Sequence, residues 1–275
     1  MIRVVNTRHL QQATGPASIG RESACPPYWN VNPIKDKPHY LHIPKTGTSF
    51  HTTLLRAYCP ETNYRHARQV PKICACHFRF ANFGAGYPPL VHPKRHAGHQ
   101  STLVFMTRRP VDRIVSGYFN NYHDCAAKGN NTVNTAFNGT DILEYAECVN
   151  GCAVNMLTGK KCGSGRPQLT RVSLAKNLTV NAQFVGLTEN WNETIELFAS
   201  RYHKPELLAQ PVVFENTRPS HASGDSVRKA REFLESHPTF RDADEEVYSI
   251  ARKRFGVEWN CLKQGTELRL HEYSE

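Results

Sequence analysis

His39-Tyr-Leu-His-Ile-Pro-Lys-Thr-Gly-Thr-Ser-Phe50 is a short apolar strand that runs into a tight loop and then into a helix start. Tyr40, Leu41 and Ile43 supply the strand. The loop holds one lysine among small residues. Phe50, Leu54, Leu55 and Tyr58 then recur at helical spacing. Such a loop aims backbone N–H groups and a helix N-terminus at whatever it holds, which favours an anion. Lys45 adds a full positive charge. The loop is a candidate phosphate cradle.

A nucleoside triphosphatase loop needs Gly, four residues, then Gly-Lys-Ser/Thr, with its lysine late. Here the lysine comes first, at 45, and the glycine follows at 47. Pro44-Lys45-Thr46-Gly47-Thr48-Ser49 instead resembles the 5′-phosphosulfate loop of sulfotransferases. Those enzymes use 3′-phosphoadenosine-5′-phosphosulfate (PAPS). A surface turn without a ligand is the plain alternative for this segment alone.

A second strand–loop–helix unit follows. Thr102-Leu-Val-Phe-Met106 is apolar, and Thr107-Arg-Arg-Pro110 leads into a helix with Pro110 in its first turn. Val111, Ile114, Val115, Tyr118, Phe119 and Tyr122 share one face. Asp112, Ser116 and Asn120 share another. The segment from Arg108 to Tyr118 resembles the family's 3′-phosphate site, Arg-Asp-Pro-x-Glu-Arg-x-x-Ser-x-Tyr. It departs at Arg109, where that pattern has Asp or Asn, but keeps Arg108 and Ser116. A guanidinium can fork onto phosphate oxygens, and a serine hydroxyl adds a neutral donor. Phe184-Val-Gly-Leu-Thr-Glu189 is similar to a block of the Golgi carbohydrate sulfotransferases, with Thr188 as an expected helix N-cap.

Strands alternate with helical patterns at 39–58, 102–123, 184–202 and 212–236. That predicts an α/β fold: a P-loop-type, mostly parallel sheet flanked by helices, in a single domain. The expected organisation is a poorly ordered arm at 1–37, a sulfotransferase domain at 38–262 and a charged tail at 263–275. Within the domain, 124–181 is polar, cysteine-bearing and weakly periodic, and reads as an insertion that shapes the acceptor site.

The formal charge is +10, from 34 Lys and Arg against 24 Asp and Glu. That field suits steering of PAPS and of glycan or polysaccharide acceptors, many of which are acidic. The basic residues are scattered and carry no zinc-finger or RNA-recognition signature, so no nucleic-acid partner is expected. Nine cysteines and sequons at Asn130, Asn138, Asn177 and Asn192 favour the Golgi lumen or secretory pathway. Cys74-Ala-Cys76-His77 lacks the paired spacing of a zinc site, and no metal is expected. No stretch approaches the roughly 20 apolar residues of a membrane span. A membrane link is therefore expected only through an anchor not present in this chain, and a cytoplasmic location is the alternative.

The resemblance implies sulfuryl transfer from PAPS to an acceptor hydroxyl. On this reading Lys45 stabilises the leaving 5′-phosphate and is catalytic. Pro44, Lys45, Thr46, Gly47, Thr48, Ser49 and Phe50 hold the 5′ end, and Arg108 and Ser116 hold the 3′-phosphate. The base is expected to be a histidine. His77 is preferred, because His77-Phe-Arg-Phe-Ala-Asn-Phe-Gly84 resembles the histidine segment of uronyl and heparan 2-O-sulfotransferases. His92, His96 and His99 stand in reserve. A P-loop kinase would need a magnesium carboxylate and a Walker-type lysine. A non-catalytic glycan-binding protein on the same fold would bind nucleotide without turnover.

Overall fold

The protein is described by a computed structural model over residues 38–47, 50, 79–80, 89–98, 102–120, 122, 125, 136–209 and 222–272. Four short strands form one sheet: β1 (His39–Leu41), β2 (Arg79–Phe80), β3 (Leu103–Thr107) and β4 (Phe184–Leu187). Their order is β2-β1-β3-β4, and every neighbouring pair is parallel. Tyr40 faces Val104, and Val104 faces Phe184 in register. Strands β3 and β4 are buried throughout. A parallel sheet covered on both faces reads as continuous apolar runs, which is how both segments look in the sequence.

Seven helices are described: α1 (Pro110–Tyr118), α2 (Gly139–Cys148), α3 (Cys152–Leu157), α4 (Leu169–Asn181), α5 (Trp191–Arg201), α6 (Gly224–Ser236) and α7 (Asp244–Glu272). Helix α1 opens on Pro110 and buries Ile114, Val115 and Tyr118. The side-chain oxygen of Asn138 caps α2 by accepting from Thr140 N (3.0 Å) and Asp141 N (3.3 Å). Helix α7 runs on to Glu272, through residues that composition alone reads as a charged tail.

The weak periodicity of 138–181 conceals core helices. Cys152–Leu157 is buried on every side, so no polar face marks it as a helix. Disulfides Cys125–Cys148 and Cys152–Cys162 fasten this region, and Cys261 is also disulfide-bonded. The strand expected near 212 lies outside the described residues.

A buried ionic knot joins the far side of the core. Arg113 pairs with Asp242 (3.0 Å) and Asp244 (3.3 Å) and donates to Val149 O (3.1 Å). Asp244 accepts from the N–H groups of Ala153 and Val154, both at 2.9 Å, and so caps α3. Asp242 accepts from Gly151 N at 2.9 Å. One side chain of α1 thus holds the start of α3 to the start of α7.

Candidate functional site

The strand order reverses direction between β1 and β3. The next strand after β1, β2, pairs on one side of it, and the next strand after β3, β4, pairs on the opposite side. In parallel sheets the crevice beyond the carboxyl ends of such strands is where ligands sit. Two loops open there: Ile43–Gly47 after β1 and Arg108–Arg109 after β3.

The first loop has unusual backbone. Lys45 is left-handed (φ 63°) and Gly47 has φ 101°. Left-handed backbone of this kind recurs in the concave turns that take anions. Thr46 is buried and its Oγ1 donates to Ile43 O (2.8 Å), which closes the turn. Phe50 N donates to Gly47 O (3.0 Å). The Phe50 ring anchors the loop: it stacks on Phe184 (5.9 Å) and meets Trp191 (5.9 Å) and Phe198 (5.3 Å) edge-on.

Gly47 lies against a wall made by the third motif. A Cβ there would stand 3.1 Å from Trp191 Cζ3 and 3.5 Å from Thr188 Oγ1. Thr188 does not cap a helix as its sequence suggested. The N-cap of α5 is Asn190, while Thr188 Oγ1 donates to Thr107 O (3.1 Å). Thr188 N bonds the same carbonyl (3.0 Å), extending the β3–β4 pairing by one step. Thr188 and Trp191 therefore back the Lys45 loop. Nothing local in the sequence signals that the end of the strand at 184–187 will meet a distant loop.

The second loop reaches the first. Arg108 Nη1 donates to Lys45 O at 3.5 Å. Among the described residues, the Arg108 side chain makes no ion pair. It is half-buried. Burial pulls its pKa down from the usual guanidinium value, against the opposing fields of Asp112 and Glu189. A desolvated cation without a bonded carboxylate is a ready partner for an anion. Ser116 lies farther along α1, half-buried, on the side that carries Asp112.

Arg109 explains the departure from the expected pattern. Its Nε bonds Asp112 (2.7 Å) and its Nη1 bonds Glu235 of α6 (2.9 Å). Its backbone N–H donates to Glu189 Oε1. Asp112 also accepts from Arg231 Nε (2.8 Å). Burial acts to raise the Asp112 pKa, but the hydrogen bonds from Arg109 and Arg231 outweigh it and hold the carboxyl below its usual value. Arg109 is thus a strut toward α6, and the cation left for the crevice is Arg108.

Thr48, Ser49, His77 and His99 lie outside the described residues. His96 packs on His39 (5.2 Å between rings), beside the start of β1, whereas Lys45 follows its end. Among the described residues, no group of three or more His, Cys, Asp or Glu side chains could hold a metal ion. No described helix is long and apolar enough to cross a membrane.

A parallel α/β sheet with two loops meeting at its switch point defines the class of α/β proteins that bind ligands beyond the carboxyl ends of their strands. A family model described as the Sulfotransferase family matches residues 33–198, more than half of the chain, and the protein belongs to that family. No curated protein matches the sequence significantly. The match spans the Lys45 loop, the Arg108 loop and the wall formed by Thr188 and Trp191. The protein is a sulfotransferase.

Proposed function

We propose that the protein moves a sulfuryl group from PAPS to a hydroxyl of a carbohydrate acceptor. The observation that carries this reading is the approach of Arg108 Nη1 to Lys45 O, which sets two anion-seeking loops at adjoining strand ends. A donor with phosphates at both its 3′ and 5′ positions fits such a pair. The fit of the 5′ end rests on the turn at Lys45 and Gly47, both at positive φ, with Gly47 packed against Trp191 and Thr188.

In this mechanism the acceptor oxygen attacks sulfur in line with the bond to the 5′-phosphate oxygen. The new O–S bond forms as the old one breaks, by analogy with phosphoryl transfer. Lys45 and the N–H groups of Thr46 and Gly47, with Thr48 and Ser49, meet the charge that grows on the leaving phosphate. Arg108 and Ser116 hold the 3′-phosphate. His77 takes the acceptor proton, within hydrogen-bond reach of the hydroxyl. No metal takes part. The disulfides support an oxidising compartment, and the secretory pathway is the proposed location.

The test is transfer of radiolabelled sulfate from PAPS to a panel of polysaccharides in chelator. Incorporation without magnesium supports the reading, and His77→Ala is expected to lower turnover by about 10²–10⁴-fold while nucleotide affinity stays constant. A requirement for ATP and magnesium would replace it with a kinase. Nucleotide binding with no transfer to any acceptor would replace it with a glycan-binding protein.

A further inference from the structure

Two runs of the sequence contain no carboxylate: Thr62–Val111 and Cys148–Thr188. The fold joins their described parts. Leu90 N donates to Met156 O (2.8 Å). The 3-10 turn Pro93–His96 packs against α4. A Cβ at Gly159 would stand 3.5 Å from Leu90 O and 4.0 Å from Pro93. Basic clusters far apart in the chain therefore share one face. Lys94 and Arg95 come from the first run, and Lys160, Lys161 and Arg166 from the second, all exposed. Burial first, then the charge of Arg95 and of His92, pulls the His96 pKa down, consistent with crowded cations.

The loop bearing the second set is held in place. The Cys152–Cys162 disulfide closes it onto α3, with Cα atoms 4.1 Å apart. Lys160 N donates to Asn155 O (2.8 Å), and Asn155 Nδ2 donates to Gly165 O (2.7 Å). A charged loop already fixed gives up little conformational freedom on binding. The His39–His96 contact sets this face near the amino end of β1, while the Lys45 and Arg108 loops follow the carboxyl ends. It is a surface apart from the donor crevice.

We propose that this basic face docks a polyanionic polysaccharide, bearing carboxylate or sulfate groups, and holds the acceptor chain away from the reacting hydroxyl. The proposal rests on the carbohydrate-acceptor reading and narrows its acceptor to acidic polymers. Single-stranded nucleic acid fits less well, because its binding sites stack bases on aromatic side chains. Neither 89–98 nor 158–172 contains Phe, Tyr or Trp.

Fluorescence anisotropy with a sulfated polyuronate of defined length tests this on the whole chain. Lys94→Ala, Arg95→Ala, Lys160→Ala and Lys161→Ala together are expected to weaken binding at least tenfold. The salt dependence should become shallower by roughly 0.7 per lost contact, on the scale set by other linear polyanions. Affinity for adenosine 3′,5′-bisphosphate should not change, and exchanging Lys for Arg and Arg for Lys at these four positions should keep polymer affinity. Unchanged polymer affinity in the alanine variant overturns the proposal. Parallel loss of nucleotide affinity, or equally tight wild-type binding of single-stranded DNA of matched charge, also overturns it. Failure of the donor reading would show separately, as a wild type that binds the polymer but not the bisphosphate.

Discussion

Gly47 answers to two constraints at once. Its φ of 101° disfavours any L side chain, and the space beside it is occupied by Trp191 and Thr188. Gly47→Ala should therefore cost about 1–3 kcal/mol of stability, read as a lower thermal midpoint, and should weaken bisphosphate binding by distorting the cradle. A variant with an unchanged midpoint and affinity would mean that the loop does not need this backbone. The residue types at 45, 47 and 108 were legible in the sequence, because each carries a distinctive chemistry. The role of Arg109 was not. Its partners Asp112 and Glu235 lie three residues away and on α6, and only the fold brings the second of them near.

Elements were legible in proportion to how one-sided they are. Helix α1 shows its apolar stripe plainly. Helix α3 is buried on every side and leaves no period to read. The loop after it depends on a covalent tie of sequence separation 10. Cys152→Ser with Cys162→Ser should cost about 2–3 kcal/mol on the loop-entropy scale, seen as a lower urea midpoint. It should also weaken polymer binding more than nucleotide binding. Equal midpoints with and without the disulfide would show that hydrogen bonds alone hold that loop. Strand β4 was read correctly as an apolar strand, but its neighbour was not legible. Pairing of β3 with β4 is what carries Thr188 to Gly47.

Across the molecule, the parallel α/β class followed from alternating patterns, whereas the strand order did not. Order β2-β1-β3-β4 is what turns two separate motifs into one crevice. The folded whole also carries a pH signature. Asp244 shares one arginine with Asp242. Burial, with the field of Asp242, pushes its pKa up from 3.8 to about 7, against Arg113 and two backbone N–H groups. The native state then holds an extra proton between those two values. This contribution to stability is complete below the unfolded value and is lost as pH rises through about 7. The stability read from urea midpoints should fall as pH rises from about 4 to about 7, with a slope no steeper than about 1.4 kcal/mol per pH unit. Asp244→Asn should flatten that slope, and equal slopes in both proteins would remove Asp244 as its source. Arg113→Ala removes the cation that pairs with the buried Asp242 and Asp244 and should cost about 3–5 kcal/mol.

That one adenosine donor spans both loops can be measured by calorimetry with two nucleotides and two proteins. Adenosine 3′,5′-bisphosphate and adenosine 5′-monophosphate differ only in the phosphate assigned to Arg108. The wild type should prefer the bisphosphate by about 10- to 100-fold, the range of a charged hydrogen-bonded contact, and Arg108→Ala should bring that preference close to unity. The same preference in both proteins, or none in the wild type, would contradict the placement of the donor across the β1 and β3 loops.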